Sequence, residues 1–295
     1  MKRRAAQPTA TIVGLGLIGG SLARALTRAG WYVVGIDDDR TRRRARRAGA
    51  VARTAADLRA VLRDARLLVL AAPPRANLRF LRLVAREAPG VVITDVGSVK
   101  GEICAEAGRL GLAGFVGGHP MAGAAGSGFE SSIADLFAGR PWILVPGARS
   151  SPASRQALAQ VRRLVSAAGG RPVLLPDPHE HDRAMAFLSH LPQMASWALQ
   201  EAAASDPVAL RHLALAGPGY RDMVRLAGSP RSLWSEILGQ NRAHVAGALA
   251  ALRDALGREE SRYGFGREAL RRTGRTGQNR RFRSGPSGRG SRLKQ

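Results

Sequence analysis

One histidine lies among residues that constrain the path of the backbone. His119 follows Gly117-Gly118 and precedes Pro120, and the apolar pair Phe115-Val116 before them is typical of a strand end. In an open α/β sheet, the loops at the carboxyl ends of the strands form the ligand crevice. An imidazole presented there can accept a proton near neutral pH, which makes His119 a candidate general base. The alternative is a loop histidine that only completes a turn.

A second stretch with the composition of a binding site lies near the amino terminus, at Gly14-Leu15-Gly16-Leu17-Ile18-Gly19. A β-branched run precedes it and apolar residues at helical spacing follow it, so the glycines join a strand to a helix. They allow a tight turn, the approach of a pyrophosphate and close packing of the helix on the strand. The start of the helix offers free N–H groups to the phosphates. A glycine-rich turn without a nucleotide is the alternative.

Asp37 supports the nucleotide interpretation. It ends the next apolar run, 18 residues after Gly19, where an acid binds ribose hydroxyls and repels a 2′-phosphate. The pattern therefore predicts NAD rather than NADP as the cofactor. Arg40 and the arginines at 42–44 lie close enough to reduce that preference.

Alternating strands and helices must position these residues. Apolar runs at 67–71, 91–95, 142–145 and 172–175 predict further strands, with helical patterns between them. Such alternation predicts an α/β fold with a mostly parallel sheet and helices on both faces. From residue 179 to about residue 256 no convincing strand occurs, and segments rich in Ala and Leu predict three to five helices.

These patterns divide the chain into four segments. We predict a basic arm at 1–9, a Rossmann-type NAD-binding domain at 10–177, a helical substrate and dimerisation domain at 178–257, and a basic Arg/Gly-rich tail at 258–295. The high alanine content of the helical segment suits close helix packing and a subunit interface. The tail is polar and is expected to be disordered.

The charge of the chain is strongly positive. Its 295 residues carry a formal net charge of +24, and only three of the 46 Lys and Arg residues are lysines. Outside the tail the arginines are scattered through amphipathic segments, which indicates a solvated surface and favours an anionic substrate. Nucleic-acid binding by the tail is the alternative. It predicts salt-sensitive binding that is lost on truncation at Gly266.

Cysteine usage and hydropathy bear on the location of the protein. The single cysteine, Cys104, excludes an intramolecular disulfide and is interpreted as a packing residue. No segment has the length of a transmembrane helix and no signal peptide is evident, so we expect a cytoplasmic protein with no membrane partner. No cluster of His, Cys, Asp and Glu has metal-ligand spacing, so no metal is expected.

Four motifs together are similar to those of a known family. They are the glycine stretch at 14–21, Asp95–Lys100, Gly118–Gly123 and Ser189-His190-Leu191-Pro192. In this order the chain resembles, from residue 10 to about 256, the prephenate/arogenate dehydrogenases, the NAD(P)-dependent enzymes of tyrosine biosynthesis. The resemblance implies a Rossmann domain, a helical dimerisation domain and a homodimer. The implied reaction is oxidative decarboxylation of prephenate to 4-hydroxyphenylpyruvate or of arogenate to tyrosine.

The resemblance also implies roles for single residues. His119 would accept the proton of the substrate's ring hydroxyl, and Ser98 would lie between nicotinamide and substrate, with helix N-capping as its alternative role. Arg225 would bind the ring carboxylate with its planar guanidinium. His181 and His190 are expected to pack or to support the site rather than to act as bases. The remaining expected substrate contacts are Ser189 and Gln193, and the expected cofactor contacts are Gly14, Gly16, Leu17, Ile18, Gly19, Asp37, Pro73 and Ser98.

Two positions depart from the family pattern and leave the substrate open. Ala125 stands where many prephenate-using members have an acid, and Gln193 stands where many have a second histidine. The tail is too short and polar for the family's regulatory domain, so any tyrosine inhibition is expected at the active site. The alternative function is that of another two-domain Rossmann oxidoreductase acting on an anionic hydroxy acid or an imine. Those enzymes usually use a lysine of the helical domain, and this chain has none between Lys100 and Lys294.

Overall fold

A single eight-stranded sheet forms the centre of the fold. The computed structural model describes residues 7–124, 126–147 and 151–265. The strand order is β3-β2-β1-β4-β5-β6-β7-β8, and all neighbouring strands are parallel except the antiparallel pair β6 and β7. The strands are β1 Thr9–Val13, β2 Tyr32–Ile36, β3 Arg53–Ala55, β4 Leu67–Leu70, β5 Val92–Asp95, β6 Phe115–Pro120, β7 Pro141–Pro146 and β8 Arg171–Leu174. This confirms the predicted α/β class with a mostly parallel sheet.

Helices cover both faces of the sheet. They are α1 Leu17–Arg28, α2 Asp39–Arg47, α3 Arg59–Leu62, α4 Pro74–Glu87, α5 Gly101–Arg109 and α6 Pro152–Ala167. Leu22 of α1 and Val161 of α6 belong to one buried apolar cluster, whereas Leu81 of α4 and Ile103 of α5 belong to another. Because both faces of the sheet are covered at its centre, the central strand β4 is buried and apolar at all four positions.

The second part of the chain is helical, as predicted. Its helices are α7 Pro178–Met185, α8 Leu191–Ser205, α9 Pro207–Arg211, α10 Pro218–Val224, α11 Arg231–Gln240 and α12 Arg242–Arg262. A π-helical segment, Ala186–His190, joins α7 to α8. Six helices occur among the described residues rather than the expected three to five, because α9 and α10 are short helices that each begin at a proline.

The chain divides into two compact units, Met1–Ala246 and Gly247–Gln295. The sheet and α1–α11 belong to the first, and most of α12 belongs to the second. The four predicted segments and their boundaries stay predictions. Helix α12 continues past residue 258, where the tail is predicted to begin, and residues 266–295 lie outside the described residues. None of the described helices is long and apolar enough to cross a bilayer.

The candidate base lies in a strand rather than in a loop. The predicted strand at Phe115-Val116 extends through His119 to Pro120, because β6 pairs with β7 over its length and His119 lies opposite Ile143. The glycines before His119 serve a packing purpose. A Cβ atom at Gly118 would overlap the carbonyl oxygen of Asp95, so only glycine lets β6 pass the end of β5 so closely.

Candidate active site

The glycine stretch forms the turn that was expected between β1 and α1. Gly14 has a φ of +93° and donates its N–H to the carbonyl oxygen of Ile36 at 2.8 Å. A Cβ atom at Gly19 would overlap the carbonyl oxygen of Gly14, so a side chain there would push α1 away from β1. A Cβ atom at Gly16, in contrast, would have no described protein atom within 4 Å. The backbone at Gly16 is therefore open to a ligand.

Helix α1 begins without a side-chain cap. No side chain caps its first turn, and that turn contains no acidic residue. The first N–H groups of the helix, beginning with those of Leu17 and Ile18, therefore have no side-chain acceptor. The positive end of the helix dipole is free to bind an anion. This arrangement fits the pyrophosphate of a dinucleotide.

Asp37 lies at the carboxyl end of β2, beside the glycine turn. Its carboxylate accepts the N–H of Leu15 at 2.6 Å and the N–H of Asp38 at 2.7 Å. Burial raises the pKa of Asp37 above its ordinary value, against the effect of these two hydrogen bonds. Pro73 lies at the carboxyl end of β4, at the position that precedes α4. Both residues are therefore at the edge where the glycine stretch opens.

A buried ion pair joins the loop after β5 to strand β6. Lys100 and Asp95 are both buried and form a salt bridge, and the Lys100 ammonium also donates to the carbonyl oxygen of Gly118 at 2.9 Å. The Asp95 carboxylate accepts the N–H of Gly97 at 2.8 Å and the N–H of Gly118 at 3.0 Å. One carboxylate thus holds the residues that directly precede Ser98 and His119.

Ser98 does not cap the next helix. Helix α5 begins at Gly101, and Asp182 of α7 accepts the N–H of Lys100 at 2.7 Å and the N–H of Gly101 at 2.8 Å. The alternative role of Ser98 as an N-cap is therefore wrong, because a carboxylate from a distant helix caps α5 instead. The Ser98 hydroxyl makes no hydrogen bond to another described residue, which leaves it available to a ligand.

His119 is buried and contacts a second histidine. Its relative exposure is 6%, and its Nδ1 lies 2.9 Å from Nε2 of His181. Nδ1 of His181 in turn lies 2.8 Å from Oδ1 of Asp182. Burial is the largest cause that holds the pKa of His119 well below 6.5, and the charge of the Lys100 ammonium acts in the same direction. The His119 imidazole is therefore neutral at neutral pH, as a proton acceptor must be.

The π-helical segment places Ser189 and His190 at the junction of α7 and α8. Asn241 donates through Nδ2 to the carbonyl oxygen of Asp182 at 2.7 Å and lies 3.1 Å from Nδ1 of His190. His190 is fully buried, and its Nε2 has no hydrogen-bond partner among the described residues. Pro192, at the start of α8, removes one backbone donor and accounts for the wider turn before it.

Gln193 contacts protein backbone. It is 1% exposed, and its Nε2 donates to the carbonyl oxygen of Leu226 at 2.7 Å. Trp197, one turn further along α8, donates through Nε1 to the carbonyl oxygen of Ala227 at 3.1 Å. These two bonds hold the 3-10 turn Arg225–Gly228 against α8. Arg225 is exposed and forms no hydrogen bond or ion pair with another described residue, so its guanidinium is free to bind an anion.

Part of this arrangement was not evident from the sequence. No pattern gave His181 a specific partner or pointed to Asp182 or Asn241, because the contacts join residues far apart in the chain. His119 and His181 are 62 positions apart, and Lys100 and Asp182 are 82 apart. The adjacent His and Asp at 181–182 were the available signal. Burial raises the pKa of Cys104 to about 12, which agrees with the packing role predicted for that residue.

Comparison with known proteins identifies the family. Residues 22–174 match the family model described as "Prephenate dehydrogenase, nucleotide-binding domain", and residues 177–258 match "Prephenate dehydrogenase, dimerization domain". The chain belongs to the prephenate dehydrogenase family. The family models also agree with the observed sheet and the helical part that follows it. Residues 22–174 are thereby assigned as the nucleotide-binding part of the chain.

Individual relatives support the assignment. The chain is 31% identical over 245 residues to a prephenate dehydrogenase of Bacillus subtilis, covering 80% of this chain and 65% of that protein. It is 32% identical over 271 residues to a cyclohexadienyl dehydrogenase of Zymomonas mobilis, covering 85% of this chain and 89% of that protein. The chain thus spans slightly less than two thirds of the length of the Bacillus relative.

Solved structures resemble the whole arrangement. A prephenate dehydrogenase from A. aeolicus, in complex with hydroxyphenyl propionate and NAD+, has a TM-score of 0.78 at 26% identity, covering 93% of this chain and 97% of that one. An arogenate dehydrogenase of Synechocystis has a TM-score of 0.72 at 31% identity, covering 91% and 97%.

Proposed function

We propose that this protein oxidatively decarboxylates prephenate or arogenate, with hydride transfer to NAD, in tyrosine biosynthesis. The observation that carries the proposal is the buried, neutral imidazole of His119 at the end of β6. The Asp95 carboxylate accepts the N–H groups of Gly118 and Gly97, the residues that directly precede His119 and Ser98. A neutral base and a free hydroxyl, both at the sheet edge where a nucleotide turn opens, suit the oxidation of a carbinol.

The proposed reaction needs a single base, His119, which takes up one proton and later returns it. Hydride leaves the carbinol carbon of the substrate, and the hydroxyl proton moves to His119. Loss of the ring carboxylate as CO2 then leaves an aromatic phenolate, which takes the proton back from His119. Aromatisation provides the driving force, so the protein mainly positions groups and polarises the hydroxyl. Ser98 would orient that hydroxyl, and Arg225 would bind the ring carboxylate through its planar guanidinium.

NAD is the proposed cofactor. When bound, it supplies the hydride acceptor. The uncapped first turn of α1 and the open backbone at Gly16 would hold its pyrophosphate, and Asp37 would bind the ribose hydroxyls. The A. aeolicus relative in complex with NAD+ supports this choice. Leu17, Ile18 and Pro73 would line the cofactor, and Ser189 and Gln193 would lie on the substrate side.

The preference for NAD over NADP has its own test. We expect Asp37→Ser to reduce the ratio of kcat/KM with NAD to that with NADP, because the repulsion of the 2′-phosphate is lost. Steady-state kinetics with both cofactors measure the ratio, and Asp64→Ser, which removes an exposed acid from the turn before β4, is the control. An unchanged ratio in the Asp37 variant would assign selectivity to another residue.

We also propose that the protein forms a homodimer and that it is located in the cytoplasm. The match of residues 177–258 to a dimerization domain supports the homodimer. The substrate is expected to be a small anion, and the basic tail is proposed to be dispensable for catalysis.

Substrate turnover is the decisive experiment. Purified protein is supplied with NAD and, separately, with prephenate and arogenate, and NADH formation is followed. Turnover of either substrate would support the proposed reaction, and the ratio of the two kcat/KM values would assign the preference. Protein that binds NAD but oxidises neither substrate would contradict the proposal.

The alternative is oxidation of another anionic hydroxy acid or an imine. Such enzymes usually use a lysine, and Lys100 is the one lysine among the described residues. It is engaged by Asp95 and by the carbonyl oxygen of Gly118, so it is not free to act on a substrate. The same assay with 3-hydroxy acids in place of prephenate distinguishes the two functions.

A further inference from the structure

Three buried side chains form a line behind the candidate base. Oδ1 of Asp182 lies 2.8 Å from Nδ1 of His181, and Nε2 of His181 lies 2.9 Å from Nδ1 of His119. The three residues are 4%, 0% and 6% exposed. The two imidazoles meet edge to edge, with ring centroids 5.1 Å apart and an interplanar angle of 63°. The contact is therefore a hydrogen bond between ring nitrogens and not a stack.

The carboxylate sets the direction of its hydrogen bond with His181. Asp182 also accepts the backbone N–H groups of Lys100 and Gly101. Although burial acts to raise it, the bonds from His181, Lys100 and Gly101 hold the pKa of Asp182 below its ordinary value. An ionised carboxylate can only accept, so Nδ1 of His181 donates to Asp182.

The direction then passes to the base. Of the two forms of an uncharged imidazole, the one that donates through Nδ1 carries its lone pair on Nε2, which in His181 faces Nδ1 of His119. With His181 in that form, Nδ1 of His119 carries the hydrogen and donates to His181. The remaining lone pair of His119 is on Nε2. In the opposite arrangement, Nε2 of His119 would carry a hydrogen and could not accept a proton.

We infer that His181 and Asp182 are positioning residues that hold His119 in the tautomer with a bare Nε2. This inference rests on the proposed function only for the identity of the proton that Nε2 accepts. The hydroxyl proton of the substrate moves to Nε2, and His119 becomes an imidazolium that still donates from Nδ1 to His181. Two hydrogen bonds in sequence then connect the positive charge on His119 to the Asp182 carboxylate, and the carboxylate stabilises that charge. The proton leaves by the same route, from Nε2 to the phenolate oxygen of the product.

The same carboxylate has a second task. Because Asp182 also caps α5, the helix that follows the Ser98 loop, it links the tautomer of His119 to the position of that loop. The backbone carbonyl of Asp182 is in turn held by Asn241 of the loop before α12. The line of side chains is therefore anchored on both sides.

Nitrogen NMR tests the tautomer without any turnover. The full chain, labelled with 15N-histidine and saturated with NAD, is examined through long-range proton–nitrogen correlations of the imidazole rings at pH 7.5. The chain has six histidines, and His119→Asn identifies the signals of His119 by their loss. We expect a protonated Nδ1 and a bare Nε2 for His119. A protonated Nε2 in the wild type would overturn the inference.

Two variants test the role of His181. His181→Leu removes the acceptor for Nδ1 of His119, and we expect kcat to fall about 100-fold with little change in KM, since general-base catalysis contributes roughly 10²–10⁴-fold. His181→Gln offers an amide oxygen as a substitute acceptor and should recover part of kcat together with the His119 tautomer. His212→Leu, at an exposed histidine after α9, is the control and should match the wild type.

The outcomes separate this inference from the proposed function. A folded His181→Leu variant with wild-type kcat and an unchanged His119 tautomer would overturn the positioning role. Should that variant not fold, the wild-type spectrum and the Gln variant still decide. Absence of turnover with both prephenate and arogenate would contradict the proposed function, whereas the ring-nitrogen signals would still accept or reject the tautomer.

Discussion

At the scale of single residues, the candidate chemistry depends on a histidine that the fold keeps neutral. Burial, and to a smaller extent the charge of the buried Lys100 ammonium, disfavours the imidazolium form of His119. A base in this state accepts a proton without first having to lose one. Because the pKa of His119 lies well below 6.5, the pH has to fall well below 6.5 before the imidazole is protonated and can no longer act as a base.

His119→Asn tests the base directly. The amide cannot accept the substrate proton, so we expect kcat to fall by about 10²–10⁴-fold, while the Kd for NAD changes little. In the wild type, the acid limb of the kcat/KM profile should lie below pH 6.5, because the pKa of His119 is lowered. Stopped-flow or steady-state NADH formation and NAD titration provide the measurements. A variant with wild-type turnover would remove His119 from the mechanism.

At the scale of secondary-structure elements, helix α8 holds the turn that presents Arg225. The Gln193 amide and the Trp197 indole donate to consecutive carbonyl oxygens, those of Leu226 and Ala227. Gln193, which stands where many family members have a second histidine, thus bonds helix α8 to the 3-10 turn Arg225–Gly228. Gln193 would affect the substrate through the position of Arg225 as well as by lying near the pocket.

Gln193→Leu should loosen this turn. The side chains have similar volume, but the carbonyl oxygen of Leu226 loses its donor, which costs about 1–3 kcal/mol for a buried polar group. We expect KM for the substrate to rise with kcat largely retained. Gln200→Leu, at an exposed position of α8, is the matched control. A destabilised Gln193 variant with unchanged KM would show that the bond supports only the fold.

The strands and helices also show which elements a sequence pattern can find. The apolar strands β1, β2, β4, β5, β7 and β8 were recognised because each is a run of apolar residues. Strand β3 was not, because Arg53–Ala55 is a three-residue strand at the sheet edge without an apolar pattern. The glycines of β6 were interpreted as a loop, although they are there to let the strand pass β5.

At the scale of the whole molecule, buried histidines make stability depend on pH. Burial is the main cause that lowers the pKa of His190 to about 4, and the pKa of His119 is also lowered. An unfolded chain binds these protons near the ordinary histidine pKa of about 6.5. Between pH 6.5 and 4 the unfolded state therefore carries more protons, and the free energy of unfolding falls as the pH falls.

The expected slope is measurable. Each such histidine lowers the free energy of unfolding by up to about 1.4 kcal/mol per pH unit. Urea unfolding of wild type and His190→Gln at pH 7, 6 and 5 should give a shallower pH dependence for the variant. His212→Gln, at an exposed histidine, should retain the wild-type slope. Equal slopes for wild type and the His190 variant would contradict the assignment of the effect to His190.

The helical part exposes large apolar side chains, as a subunit interface would require. Leu215 is 79% exposed, Leu188 71% and Met223 57%. We expect the wild type to be a dimer in light scattering, at about twice its 31.3 kDa, and Leu215→Glu to shift the mass toward that of the monomer. Ile133→Glu, at a 51% exposed apolar residue outside the helical part, is the control. A monomeric wild type would contradict the proposed homodimer.

Local patterns in the sequence were sufficient for the fold class and for naming candidate residues at strand ends, whose roles stay predictions. The glycine turn, Asp37 and the Ser98 loop each follow a strand directly, and His119 lies near the end of β6. A strand end determines which edge of a parallel sheet a residue reaches. Ala125, the departure from the family pattern that leaves the substrate open, lies outside the described residues. The roles of Ser189, Gln193 and Arg225 rest on family motifs and stay proposals.

Only the tertiary structure decided which partners these residues have. The sequence could not show that Asp182 caps α5 or that His181 contacts His119, because helix packing brings these groups together across 62 to 82 positions. Periodicity reports the face on which a residue lies, but it carries no information on the element packed against that face. The tautomer inferred for the base rests on such contacts, because the buried Asp182 carboxylate determines the direction of the first hydrogen bond in the line.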